Sequence, residues 1–208
     1  MSTPSAPPSV VPGQHSEVRV RPGGPADVDD LCRIFADVLA AGESYALDDS
    51  TTRDDAIAYW IHDAGPWFVA ERAGRVVGAC MIHPNQPGRG SHVANAAFVV
   101  DAAARGTRVG DRLVDRALAA AREAGYRSMQ FNLVVATNHA AIRLYRAKGF
   151  SIVGREPEAF RRGDGSYVDA FVFHRFLDRP VLAGPTPYDL ASWDTELATS
   201  HRGRRPHR

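Results

Sequence analysis

Residues Arg105-Gly106-Thr107-Arg108-Val109-Gly110 carry the strongest chemical signal in this chain. They lie between an apolar run, Ala96-Ala97-Phe98-Val99-Val100, and an amphipathic run from Asp111 to Glu123. A strand, a glycine-containing loop and a helix in that order leave the first N–H groups of the helix unpaired at the positive end of its dipole, where they attract a phosphate or pyrophosphate. Asn95 is the second signal. Asparagine is depleted in strands and needs partners when buried, so an Asn at the head of an apolar strand suggests a role in orienting a polar ligand. A carboxamide does not take up a proton at neutral pH, so Asn95 could hold an amine or a water but could not be a base. His83 and His92 flank a proline-rich segment and are the nearest imidazoles for that task. The eight histidines have no metal-ligand spacing, and no metal is expected.

The elements that must position these groups follow from periodicity. Residues Glu17 to Arg21 alternate as a short strand, and Val28, Leu31, Ile34, Phe35, Val38 and Leu39 mark one face of a helix from Pro25 to Ala40. A Gly42-Glu43-Ser44-Tyr45 loop leads to Ser50-Thr51-Thr52, which caps a second helix predicted to reach about Ile61. Trp67 to Glu71 and Arg75 to Ile82 read as a hairpin turning at Ala73-Gly74. His92 to Val100 is a central strand, and Asp111 to Glu123 a helix stopped by Gly125. Ser128 to Val135 is a further strand, Asn138 to Lys148 a helix stopped by Gly149, and Tyr167 to Phe176 a long closing strand. The order β, α, α, β, β, β, α, β, α, β, β implies an α/β (α+β) fold, a mixed sheet flanked by helices.

At 208 residues and a formal net charge of +1, one domain is expected and no global field draws the chain to nucleic acid or an anionic membrane. Lys148 is the only lysine, which reads as composition bias. Cys32 and Cys80 lie in apolar patterns and read as buried free thiols of a reducing compartment. No apolar run approaches a membrane span and no secretory signal is legible, so a cytoplasmic location is expected. Residues 1–16 read as a disordered leader, 17–178 as the folded domain and 179–208 as an extension with a basic tail.

The element order, the loop at 105–110 and the segment Asn138-x-x-Ala141-x-x-Leu144-Tyr145-x-x-x-Gly149-Phe150 resemble the GNAT superfamily of acyl-CoA-dependent N-acetyltransferases, over roughly residues 17–177. The resemblance implies a mostly antiparallel central sheet of six to seven strands with about four helices, and acetyl-CoA as cosubstrate. By position, it places the pyrophosphate on the Arg105 to Gly110 loop, the thioester against the main chain of Ala97, Phe98, Val99 and Val100, and further cofactor contacts at Asn138, Ala141 and Tyr145. It gives Tyr145 the role of acid for the departing thiolate, with a packed core aromatic as the alternative; a phenol is protonated at pH 7. Asn138 reads equally as a helix cap. A narrower resemblance, to acetyltransferases of the proline analogue azetidine-2-carboxylate, rests on residues 84–96, Phe131-Asn132-Leu133 and Asn138. It turns Asn95 and Asn132 toward the transfer centre; the broader resemblance puts the loop of Glu43 and Tyr45 at the border of the acceptor pocket, and His92 flanks the proline-rich segment beside it. The implied function is acetyl transfer to a small amino or imino acid in a ternary complex, without nucleic acid or membrane partners and with a homodimer left open. A peptide N-terminus as acceptor, and a non-catalytic acyl-CoA sensor, are the alternatives. One departure stands out. The family's middle loop glycine is Arg108 here, and if that position needs φ > 0 the side chain costs about 1 kcal/mol or more.

Overall fold

The computed structural model describes residues 17–47, 50–62 and 65–179. The expected leader and, Arg179 apart, the C-terminal extension lie outside the described residues. In chain order the elements are β1 (Arg19–Pro22), α1 (Val28–Ala40), α2 (Arg53–Ile57), β2 (Trp67–Arg72), β3 (Arg75–Pro84), β4 (Val93–Val100), α3 (Val109–Glu123), β5 (Ser128–Val135), α4 (His139–Ala147), β6 (Ser151–Arg161) and β7 (Tyr167–Phe176).

The seven strands form one sheet in the order β1-β2-β3-β4-β5-β7-β6. Every neighbouring pair is antiparallel except β4 and β5, which run parallel. Alternation of side chains along the strands gives the sheet two apolar faces, each covered by one helical layer. On one, Leu113, Val114, Ala117 and Leu118 of α3 and Ile142 of α4 join Ile82, Ala94, Met129, Phe131 and Phe173. On the other, Leu31, Ile34 and Phe35 of α1 and Trp60 join Val69, Ala79, Met81 and Val99. Side chains of this size contribute about 1.5–3 kcal/mol each when fully buried.

Local chemistry sets the element ends. Thr52 caps α2: its hydroxyl accepts from the Asp55 N–H at 3.2 Å and the Asp55 carboxylate accepts from the Thr52 N–H at 3.0 Å. The second helix does not run regularly to Ile61. It loosens into a π-helical turn over Ala58–His62, which brings Tyr59 and Trp60 onto the same partner, with Phe35 at 5.8 Å and 5.6 Å from their rings. The β2–β3 turn has positive φ at both Ala73 and Gly74, the twist a tight hairpin needs. Helix α3 starts two residues before the expected Asp111, because Arg108, in the left-handed region at φ 67° and ψ 11°, redirects the chain so that Val109 is already helical.

A partly buried ion pair anchors β1. The Arg21 guanidinium donates both its Nη groups to the Asp27 carboxylate at 2.8 Å and its Nε to Glu71 at 3.1 Å. The Gly24 N–H completes the Asp27 set at 2.9 Å. Arg21 holds Asp27 below the usual carboxylate range, against the opposing effect of burial.

Candidate active site

The sheet opens at β4. Its ladder to β5 holds only Val93 to Ser128 and Ala94 to Met129. Beyond Ala94, β4 stays with β3 as far as Val100, while β5 follows β7 through an irregularity between Phe131 and Val134. A bulge bends its strand, so the two ladders diverge and a slit opens between β4 and β5.

Main-chain direction along β4 decides what faces the slit. The Asn85 N–H donates to Val93 O and the Asp101 N–H to Val77 O, so odd-numbered residues of β4 bond β3 and even-numbered ones point toward β5. Ala97 and Val99 are therefore turned away, their side chains buried beneath α1. Phe98 and Val100 direct their N–H groups into the slit. Two groups there are already engaged. The Ala96 N–H donates to Oδ1 of Asn95 at 2.7 Å, and the Phe98 carbonyl accepts from the Tyr45 hydroxyl at 3.0 Å.

Rings close the slit on the α3 side. Phe98 packs edge-on to Phe131 at 5.8 Å, and Tyr145 of α4 lies 4.5 Å from Phe131 and 5.8 Å from Phe173. Tyr145 thus occupies the packed position that its alternative reading required, while remaining at the slit. A second buried phenol, that of Tyr45, enters from the opposite face with its ring 5.2 Å from Phe35. Burial pushes both well above the usual phenol range, so both stay protonated at neutral pH.

At the far end of the slit stands the 105–110 loop. The Thr107 N–H donates to Ala104 O, and the next N–H with a main-chain acceptor is that of Arg112, to Arg108 O. The N–H groups of Arg108, Val109, Gly110 and Asp111 between them have no acceptor among the described residues. Gly106 at φ 77° has open space where a Cβ would be, and a Cβ on Gly110 would meet Leu144 at 3.4 Å, so α4 packs close to the loop. Arg105 and Arg108 are exposed beside it; Val109 is buried, and the Thr107 hydroxyl donates to Ala104 O at 2.6 Å. Four convergent donors fit a pyrophosphate. Asn138 caps α4 through Oδ1 from the Ala141 N–H at 3.1 Å, which leaves its amide N–H₂ for a second partner. Lys148 ties α4 to α3 through Asp111 at 2.8 Å and Asp115 at 2.7 Å.

The face opposite the aromatic wall carries amides. Gln130 and Asn132 alternate with the buried Met129 and Phe131 on β5, and Asn95 and His83 are cross-strand partners one residue past the last β4–β5 pair. The Gln130 amide donates to Asn132 Oδ1 at 3.0 Å, and the Asn132 amide donates to Asn85 Oδ1 at 2.7 Å. Asn85 and Gln130 were not expected from the sequence; the polar residues at 128, 130 and 132 were the available signal. His92 is exposed, its Nδ1 hydrogen-bonded to Arg89 O at 3.1 Å. Glu43 is exposed in the α1–α2 loop and has no hydrogen bond or ion pair among the described residues. Neighbouring Gly42 accepts from the Gly163 N–H in the β6–β7 turn at 3.4 Å, so those two loops bound this face.

Comparisons with known proteins bear on the family and the fold. The N-acetyltransferase aca1 of Schizosaccharomyces pombe is 39% identical over 99 residues, which span 47% of this chain and 47% of that relative. The chain thus matches about half the length of that curated relative. The structure of a GCN5-related N-acetyltransferase from Kribbella flavida is 39% identical, covers 76% of this chain and 97% of its own, and superposes with a TM-score of 0.73. The fold also matches yncA of Salmonella typhimurium, solved with its cofactor acetyl-CoA, at 22% identity and a TM-score of 0.72 over 83% of this chain and all of that one. Residues 31–150 match the model of the acetyltransferase (GNAT) family. The chain belongs to that family of acyl-CoA-dependent acetyltransferases.

Proposed function

We propose that this chain moves an acetyl group from acetyl-CoA to the amine of a small amino or imino acid, by direct transfer within a ternary complex. The observation that carries the proposal is the slit between β4 and β5, which has an anion-binding loop at one end and opens onto an amide-lined face beside Asn95. The N–H groups of residues 108–111, with the Arg105 and Arg108 guanidinium groups, hold the pyrophosphate. Those of Phe98 and Val100 hold the chain that leads to the thioester, and Asn138, Ala141 and Tyr145 flank it. Acetyl-CoA supplies an activated acyl group. The protein supplies alignment, which accounts for much of the rate in such transfers.

Asn95 and Asn132 orient the amine. Tyr145, kept protonated by burial, gives its proton to the sulfur as it leaves. The residues named on and beside the sheet at the acceptor face (His83, Asn85, His92, Asn95, Gln130, Asn132) carry no negative charge, so the carboxylate of an amino or imino acid meets amide donors there, with Glu43 confined to the bounding loop. Residues 84–96 and Phe131-Asn132-Leu133 favour azetidine-2-carboxylate and related imino acids. Direct transfer is supported by the thiols: Cys80 is buried with its pKa pushed up to about 12, and burial raises Cys32 too, so neither serves as an acyl carrier.

The test is release of coenzyme A thiol from acetyl-CoA across a panel of amines, amino acids, azetidine-2-carboxylate and short peptides, with calorimetric acetyl-CoA binding alongside. Turnover confined to small amino or imino acids is the expected result. Binding without turnover on any amine would replace this reading with a sensor, and turnover on peptides alone with a peptide acetyltransferase.

A further inference from the structure

An amine acceptor arrives at neutral pH as an ammonium ion and must lose a proton before it can attack, yet Asn95 and Asn132 cannot take one. Tyr45 and Tyr145 are held in the protonated form. A base has to come from elsewhere on the acceptor face. His83 is the imidazole the fold brings there. It is the β3 partner of Asn95, the first β4 residue past the point where β5 departs. Cross-strand partners put their side chains on one face with Cβ atoms about 5 Å apart. That face is the one bearing Asn132, because Met81 two residues earlier on β3 and Ala97 two residues later on β4 both lie on the α1 side, whereas Met129 and Phe131 on β5 lie on the other. His83 is also fixed in the tautomer a base requires. Its Nδ1 is 2.9 Å from the carbonyl of Pro84, and a carbonyl only accepts, so Nδ1 carries a hydrogen and the neutral ring has its lone pair on Nε2.

We propose that His83 is the general base that deprotonates the acceptor amine, an inference that rests on the small-amine reading above. The ammonium N–H bond breaks and its proton passes to Nε2, directly or through one water. The freed nitrogen lone pair forms the bond to the acetyl carbonyl carbon, the C–S bond breaks, and the thiolate takes the Tyr145 proton. The second proton, lost from nitrogen after the C–N bond forms in a primary or a secondary amine alike, restores the phenol, and the imidazolium returns its own to solvent. Asn95 flanks it on β4, and Gly65 and Pro66 flank β3 on the other edge through main-chain bonds to Ile82. Arg89 and His92 lie in the segment that follows β3, and His174 on β7 shares the face beyond Asn132. Among the described residues His83 makes no ion pair.

The experiment compares the parent with His83→Gln and with His83→Asn, the latter retaining a donor for the Pro84 carbonyl. In both variants kcat at pH 7 should fall by about 10²-fold, within the range for loss of a general base. Acetyl-CoA affinity by calorimetry should be unchanged, and the acid-side limb of the kcat/KM profile should move upward, to the ionisation of the acceptor amine itself. The imidazole ¹⁵N spectrum of the parent should show Nδ1 protonated and Nε2 bare. A pH profile identical to the parent in either variant, recovery of turnover in His83→Asn, or an Nε2-protonated tautomer would overturn the assignment while leaving the acetyltransferase reading in place. Absence of turnover by the parent on every amine would overturn both.

Discussion

Replacing Arg108 separates backbone strain from ligand contact at the phosphate loop. Its φ of 67° and ψ of 11° lie in the left-handed region, which costs a residue with a Cβ about 1–2 kcal/mol. Arg108→Gly relieves that cost but gives the unfolded chain more freedom, worth roughly 0.5–1 kcal/mol in the other direction. At the midpoints of these ranges the net gain is about 0.75 kcal/mol, or roughly 1.5–3 °C in Tm for a domain of this size. Arg108→Ala keeps the strain and removes the guanidinium, so its Tm should match the parent. If the guanidinium reaches a phosphate, both variants lose a charge-assisted hydrogen bond, for which about 1.4 kcal/mol is a fair figure at an exposed site, and acetyl-CoA affinity should fall about tenfold. Thermal unfolding and calorimetry on all three proteins measure the two effects independently. An Arg108→Gly protein with Tm at or below the parent would refute the strain argument. Unchanged affinity in both variants would refute the phosphate contact.

Asp27→Asn should destabilise the fold by about 2–3 kcal/mol, between the figures for exposed and buried pairs because Arg21 is half-buried while Asp27 is nearly sealed. Since Arg21 lowers the Asp27 pKa in the folded state, its contribution is present above the ordinary carboxylate range and is lost as pH falls through the folded value. Denaturant titrations below about pH 4 should therefore show a steeper loss in the parent than in Asp27→Asn; parallel curves would disprove the linkage. Tyr45 and Tyr145 have the opposite sign: burial raises both, so their contribution is full below about pH 10, the unfolded phenol value, and is lost as pH rises further. Tyr45→Phe should flatten that alkaline decline at a cost of about 1 kcal/mol for the lost bond to the Phe98 carbonyl, and an unaltered decline would exclude Tyr45 as its source. Asn95→Ala should lower kcat with acetyl-CoA affinity little changed, and Tyr145→Phe should lower kcat alone; parental turnover in either would remove that residue from the transfer step.

The sequence by itself determined much of this protein, because the determining interactions are local. Apolar spacing at 3.6 residues placed α1, α3 and α4, the Ala73-Gly74 pair placed the hairpin, and the capping run Ser50-Thr51-Thr52 placed the start of α2. The phosphate loop was legible because a strand, a glycine turn and a helix start are consecutive, and Arg108 stood out as a departure from the glycine that the family resemblance implies at that position. Tertiary structure decided the rest. Where β4 and β5 part depends on how β5 pairs with β7, a strand some 40 residues later, so nothing near Ala94 announces it. Which main-chain groups of 97–100 face the slit follows from the β3 register, and this turned Ala97 and Val99 away. The sole lysine, read from composition as uninformative, became the tie between α3 and α4 once the fold brought Asp111 and Asp115 to it. His83 gained a partner in Asn95, and Asn132 in Asn85, across separations of 12 and 47 residues that only strand pairing and loop closure could bridge.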